Sequence, residues 1–165
     1  MNFFGIILWG VIASTVLGVS AQAAETSGLP LPRFVSLRSD EVNLRTGPGQ
    51  RYPIDWTYTR KDVPVEIIAE FDVWRKIRDW QGTEGWVHQG MLSGRRALIV
   101  INGSHPLRSS DSDAADQVAL VEAGVFGRLL HCPRNKEFCK VSFGTTEGWL
   151  RREEIWGVYK SEWID

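Results

Sequence analysis

The sequence predicts an all-β protein that contains two similar units behind an N-terminal export signal. Three observations support this prediction. Residues 3–18 form an uncharged apolar run, two short motifs recur at one spacing in the rest of the chain, and apolar residues there alternate with polar ones. A period of two is typical of β-strands, and a fixed offset between motifs is typical of repeated units.

The N-terminal apolar run has the features of a cleaved signal peptide. It is short for a helix that crosses a bilayer, and Ala21 and Ala23 after it form the small-x-small pattern of a signal-peptidase site. We therefore expect residues 1–23 to be removed and the protein to be periplasmic or extracellular. No Lys or Arg precedes the run, which leaves two alternatives: an uncleaved anchor, the one case in which we expect membrane contact, and a buried core segment.

The rest of the chain contains an internal repeat. The motif "NLRTG" at residues 43–47 is matched by "PLRSS" at 106–110, and "TEGWV" at 83–87 by "TEGWL" at 146–150, both with an offset of 63 residues. Two motifs that share one offset predict two copies, at residues 33–94 and 97–160. Residues 24–32 form a proline-containing linker before the first copy.

Short strands are predicted inside each copy. Val63, Val65 and Ile67 alternate with polar residues or proline, and "RDWQGTEGWVH" has the pattern of a β-hairpin. The segment "SSDSDAADQVALVEAG" is compatible with a short helix or a long loop. Trp74 and Ile77 are three residues apart, as are the corresponding residues of the second copy, which predicts a bulge or a strand-end position for the aromatic residue.

The two cysteines, Cys132 and Cys139, are predicted to form a disulfide. An even cysteine count in an exported chain favours this state, and closing so short a loop restricts the unfolded chain by roughly 2.5 kcal/mol. The alternative is a catalytic pair of His131 with a cysteine. Adjacent strand residues point to opposite faces, which disfavours a pair between His131 and Cys132.

The ordered motifs of the first copy resemble the bacterial SH3 (SH3b) family. They are "VNLRTGPGQRYPI", "VPVEIIAEFDVWRKIRD" and "GTEGWVHQGML", and the resemblance covers essentially all of residues 34–92. The second copy keeps only "LRSS", "CKV" and "TEGWLRREEI". The resemblance implies two small, bent SH3-like β-barrels in tandem, the second divergent. It also implies an exported protein that binds cell-wall peptides or other proteins and performs no chemistry itself.

Candidate ligand-binding residues lie on and near the loop after Gly-Pro-Gly. Pro48 and Gly49 fit the central positions of a type II turn, and this turn projects a loop with three aromatic residues, Tyr52, Trp56 and Tyr58. Arg45 is expected to bind a carboxylate, either within the protein or on a ligand.

The tryptophans are divided by their place in the repeat. Trp86 and Trp149 occupy matching positions and Trp74 matches Phe138, which predicts core roles for them. Trp56 and Trp80 have no tryptophan counterpart in the second copy, and for these two a binding role and a structural role remain open.

Composition and motifs argue against several other functions. The formal net charge of −1 does not predict binding to nucleic acid or to anionic lipid. The three histidines are scattered and the acidic run at 109–116 lacks the Gly and Glu of a calcium loop, so no metal is expected. No nucleotide-binding or hydrolase motif is present, so no cofactor is expected.

The favoured hypothesis is therefore a non-catalytic exported module that binds cell-wall peptidoglycan or its peptide stems. The alternative is a periplasmic adaptor that binds an extended protein segment in the same groove. A third hypothesis is a cysteine hydrolase that uses one of the two cysteines.

Overall fold

A computed structural model describes residues 26–165. The predicted signal peptide, residues 1–23, lies outside the described residues, as does the beginning of the linker. Within the described range, no helix combines the length and apolar character needed to cross a membrane.

The first unit is one antiparallel sheet of seven strands, in the spatial order β3-β2-β6-β5-β4-β1-β7. Its strands are β1 Arg33–Leu37, β2 Val42–Arg45, β3 Ile54–Tyr58, β4 Pro64–Phe71, β5 Trp74–Arg78, β6 Glu84–His88 and β7 Leu92–Ser93. A 3₁₀ turn, Gln89–Met91, leads into β7.

The second unit is also an antiparallel sheet of seven strands, in the equivalent spatial order β10-β9-β13-β12-β11-β8-β14. Its strands are β8 Ala97–Val100, β9 His105–Arg108, β10 Gln117–Val121, β11 Phe126–His131, β12 Phe138–Phe143, β13 Thr146–Arg151 and β14 Ile155–Trp156. A second 3₁₀ turn, Arg152–Glu154, leads into β14. The acidic segment before β10 is a loop and not a helix.

The all-β prediction is confirmed, but closed barrels are not found. Strands β3 and β7 lie at the two ends of the first sheet and β10 and β14 at the ends of the second, and in residues 26–165 no pairing joins these ends. Both sheets lie within the ranges expected for the two copies. The chain beyond residue 160 packs back on the second unit, where Ile164 pairs with Cys132.

Each sheet buries one face, and the repeated "TEGW" motif shows how. Gly85 and Gly148 face the interior, where an added Cβ would lie 2.5 Å from Cγ of Leu44 and of Leu107 respectively. Only glycine allows this approach of neighbouring strands. The tryptophan that follows each glycine must then point to the opposite face.

The core roles predicted for three tryptophans therefore need correction. Trp86 and Trp149 lie half-buried on the outer face. Trp74 is the first residue of β5 and packs edge-on against His88 of β6, with ring centroids 5.7 Å apart, on that same outer face. Only Phe138, the counterpart of Trp74, is buried.

The two units are in contact along one side. Phe34 of β1 packs against Trp156 and Tyr159, at centroid distances of 4.8 and 4.6 Å. Farther along, Trp80 packs edge-on against Phe126 at 5.4 Å. Aromatic residues from both units thus pack at the junction. A cleft remains open beside Phe126.

Candidate binding surface

Arg45 at the end of β2 organises the loop that follows it. Its Nη1 donates hydrogen bonds to the backbone oxygens of Tyr52, at 2.8 Å, and Gln50, at 3.2 Å. Among the described residues, the partner of Arg45 is therefore the backbone of its own loop and not a carboxylate of the protein. Its role in this structure is to hold the loop in place.

The ring of Tyr52 packs against the glycines of the Gly-Pro-Gly segment. An added Cβ on Gly47 would lie 2.4 Å from the Tyr52 ring, and one on Gly49 would lie 3.4 Å from it. The type II turn predicted at Pro48 and Gly49 is wrong, because Gly49 does not have the positive φ that this turn requires. The β-turn bond runs instead from the nitrogen of Tyr52 to the oxygen of Gly49, at 3.2 Å. Gly47 is needed because the Tyr52 ring leaves no room for a Cβ there, whereas the distance at Gly49 is an ordinary contact.

Strand β3 presents the most exposed aromatic surface of the first unit. It is an end strand that pairs with β2 alone, so one backbone edge has no partner strand in the described structure. Trp56 is 56% exposed and Ile54 is 49% exposed. Unprotected edge strands readily pair with another extended chain. Trp56 thus remains a candidate for ligand contact, with Tyr52 on the adjoining loop.

Tyr58, the third aromatic of the predicted groove, lies in the core. Its side chain is buried, and its hydroxyl donates to Oδ2 of Asp79 at 3.0 Å. Burial, together with the charge and hydrogen bond of Asp79, raises the pKa of Tyr58. We therefore remove Tyr58 from the candidate surface.

Trp80 lies at the junction of the two units. It packs on the first core and against Phe126 of the second unit. The structure thus gives Trp80 an interface role.

A row of outer-face residues was missed by the sequence reasoning. The strand register places Trp86 opposite Arg45 on one side and opposite Lys76 on the other, and Lys76 forms an ion pair with Glu84 at 2.7 Å. The second unit repeats this row with Trp149 between Arg108 and Lys140, and Lys140 pairs with Glu147 at 2.8 Å. The alternation around "TEGW" contained the signal that both tryptophans face outward.

Comparison with known proteins finds a family that is similar to the first unit. The model of the bacterial SH3 domain family matches residues 38–94. This segment is therefore similar to a bacterial SH3 domain. The match covers β2 to β7 and includes the Arg45 loop and the edge strand β3.

Two solved structures are similar to most of this chain at low identity. NlpC1 from Trichomonas vaginalis is 13% identical, with a TM-score of 0.35, over 84% of this chain and 50% of that protein. NlpC2 from the same organism is 13% identical, with a TM-score of 0.34, over 76% of this chain and 48% of its own. This chain therefore spans about half the length of either structure. No curated protein matches it.

The second unit differs from the bacterial SH3 domain at the corresponding surface. Arg108, the counterpart of Arg45, faces Glu154 at 3.5 Å and Asp113 at 3.7 Å, and Arg151 also pairs with Asp113. The acidic loop of the second unit thus occupies the side that the Gly-Pro-Gly loop occupies in the SH3 domain. Its end strand β10 exposes Val118 and Leu120 and carries no aromatic residue.

The predicted disulfide between Cys132 and Cys139 is confirmed. It joins the end of β11 to β12 and lies within the second core. In the part of the chain that the structure describes, neither cysteine is a free thiol.

Proposed function

We propose that this protein is an exported, non-catalytic binding module whose SH3 domain recognises the peptide stems of cell-wall peptidoglycan. The family supports a binding role, since its members are generally taken to bind cell-wall peptides or proteins. The apolar N-terminal run with its cleavage pattern supports export.

The observation that carries the proposal is the exposed Trp56 on the free edge of β3. An extended peptide added to this edge would bond to the backbone of β3, and Trp56, Ile54 and Tyr52 would contact its side chains. Main-chain hydrogen bonds supply affinity in this mode of recognition, and side-chain contacts supply specificity.

Cosedimentation with isolated sacculi tests the proposal. We expect the purified protein to pellet with sacculi and Trp56→Ala to remain largely in the supernatant. Trp163→Ala is the matched control, because Trp163 is also exposed but lies beside Arg134 near the C-terminus. If wild-type protein stays in the supernatant, or if both variants pellet as wild type does, the peptidoglycan proposal is wrong.

The second candidate function is an adaptor that binds an extended protein segment. It is favoured by the backbone edge of β3, which fits any extended chain, and by the second edge strand with exposed Val118 and Leu120. NMR titration with soluble disaccharide-peptide fragments of peptidoglycan separates the two functions. Shifts at Ile54–Tyr58 support stem binding, whereas a protein partner that is lost in Trp56→Ala, with no shift by the fragments, supports the adaptor.

A further inference from the structure

A second feature with the character of a binding site is the cleft between the two units. It has a volume of about 350 Å³, which is near the lower end of the range for small-molecule sites, ~300–1,000 Å³. The loop between β3 and β4 lines one wall, and the beginning of β11 and the hairpin between β12 and β13 line the other. Both units are thus needed to form it.

One cation of this cleft, Arg60, stacks on an aromatic ring at the junction. The guanidinium carbon of Arg60 lies 4.6 Å from the ring centroid of Phe126, and Trp80 packs on the same ring. Stacking uses the flat face of a guanidinium and leaves the N–H groups in its plane for a planar acceptor. Arg60 is therefore positioned by packing and not by an anion of the protein.

Two further cations, Lys61 and Arg128, line the cleft with Arg60. None of the three forms an ion pair with any residue in the described range 26–165. Two carboxylates, Asp40 and Asp62, are also part of the lining. Oδ1 of Asp40 already accepts the backbone N–H of Lys61, at 3.3 Å. The cleft thus keeps a positive surplus next to an apolar ring.

We propose that this cleft binds a carboxylate that carries a small apolar group. Arg60 and Arg128 would bind the carboxylate oxygens, since guanidinium and carboxylate groups match in bidentate geometry, and Phe126 would contact the apolar substituent. Asp40 and Asp62 disfavour ligands with a higher negative charge. This site is separate from the edge of β3 and does not depend on the function proposed for that edge.

The test is an NMR titration of the purified protein at constant ionic strength with three probes. N-acetylalanine presents one carboxylate beside a methyl group, its amide lacks the charge, and inorganic phosphate has the charge without the apolar group. We expect N-acetylalanine alone to shift the amide signals of Gly127 and Gly144, which line the cleft. No shift with N-acetylalanine, or an equal or larger shift with its amide or with phosphate, would overturn the proposal.

Variants then assign the shift to the cleft. We expect Arg128→Gln to weaken the binding of N-acetylalanine about tenfold, as loss of a charge-assisted contact does. The side chain of Arg128 is exposed and has no ion-pair partner among the described residues, so its removal should leave the fold intact. Arg95→Gln removes the same charge from an exposed site outside the cleft. Equal weakening by both variants would show a general effect of net charge and would refute a site in the cleft.

Discussion

The hydroxyl of Tyr159 donates a hydrogen bond of 2.6 Å to Oε1 of Glu66, across the junction between the two units. The second oxygen of Glu66 accepts two bonds from Arg78, at 2.6 and 3.0 Å. Burial and the adjacent Glu66 carboxylate raise the pKa of Tyr159. One carboxylate of β4 therefore binds partners from both units, and this contact joins the units at their junction.

Removal of this hydroxyl tests the junction. We expect Tyr159→Phe to lower the free energy of unfolding by about 1 kcal/mol, the typical contribution of one hydrogen bond. Tyr52→Phe is the matched control, because the Tyr52 hydroxyl has only a long contact of 3.5 Å with the exposed Arg51. Denaturant unfolding of both variants gives the comparison, and equal losses would show that the bond across the junction adds no stability.

Alanine in place of the glycine of either "TEGW" motif is predicted to destabilise the fold. Gly85→Ala or Gly148→Ala forces a methyl group against Leu44 or Leu107, and overpacking of this kind costs about 1–3 kcal/mol. Gly94→Ala serves as the control, because nothing lies within 4 Å of a Cβ at that position. The measurement is again denaturant unfolding, and it contradicts the structure if all three variants lose equally little.

The repeat is the part of the organisation that the sequence predicts most directly. An offset of 63 residues between motifs predicts two copies, and the structure has one strand order in both units. The cysteine pair was predictable for a similar reason, because short spacing and even count leave few options. Local pattern and spacing are visible in a single sequence.

The candidate surface was harder to predict, since it depends on which way each side chain points. Tyr58 and Trp56 are two residues apart on β3, yet Tyr58 reaches Asp79 in the interior while Trp56 stays exposed at the free edge. Trp80 is covered by Phe126, a residue 46 positions later. In both cases packing between segments distant in sequence determines whether the aromatic side chain is buried. A local sequence pattern does not reveal such packing.

The pH dependence of stability should have a component from Glu70. Burial alone would raise the pKa of this carboxyl, but hydrogen bonds from Ser27 and Arg33 and the charge of Arg75 outweigh it and lower the pKa to about 2. The resulting stabilisation is complete above the ordinary pKa of 4.5 and is lost as pH falls towards 2.

We therefore expect Glu70→Gln to be less stable than wild type at pH 7, and we expect the difference to shrink as the pH falls from 4.5 towards 2. Unfolding curves at several pH values measure this difference. Glu122→Gln is the control, since Glu122 is exposed. If the difference in unfolding free energy stays constant over this pH range, the titration of Glu70 does not contribute to the pH dependence of stability.

Arg152 is the clearest case of a cation that holds backbone together. Its guanidinium donates to the oxygens of Pro133, Lys136, Tyr159 and Glu162, at distances from 2.7 to 3.1 Å. Burial lowers its pKa, and the charge of Glu162 offsets part of this effect. The side chain thus joins the loop inside the disulfide to the C-terminal segment.

A lysine at this position keeps the charge but cannot place donors in the planar fork that reaches four carbonyls. We expect Arg152→Lys to lower the free energy of unfolding by about 1–3 kcal/mol, because partly buried carbonyls lose their partners. Arg95→Lys, at an exposed position, should change stability little. Hydrogen exchange should locate the loss at Cys132 and Ile164, whose backbone pairing attaches the C-terminal segment to β11. If exchange there is unchanged while stability falls, the segment is held by contacts other than Arg152.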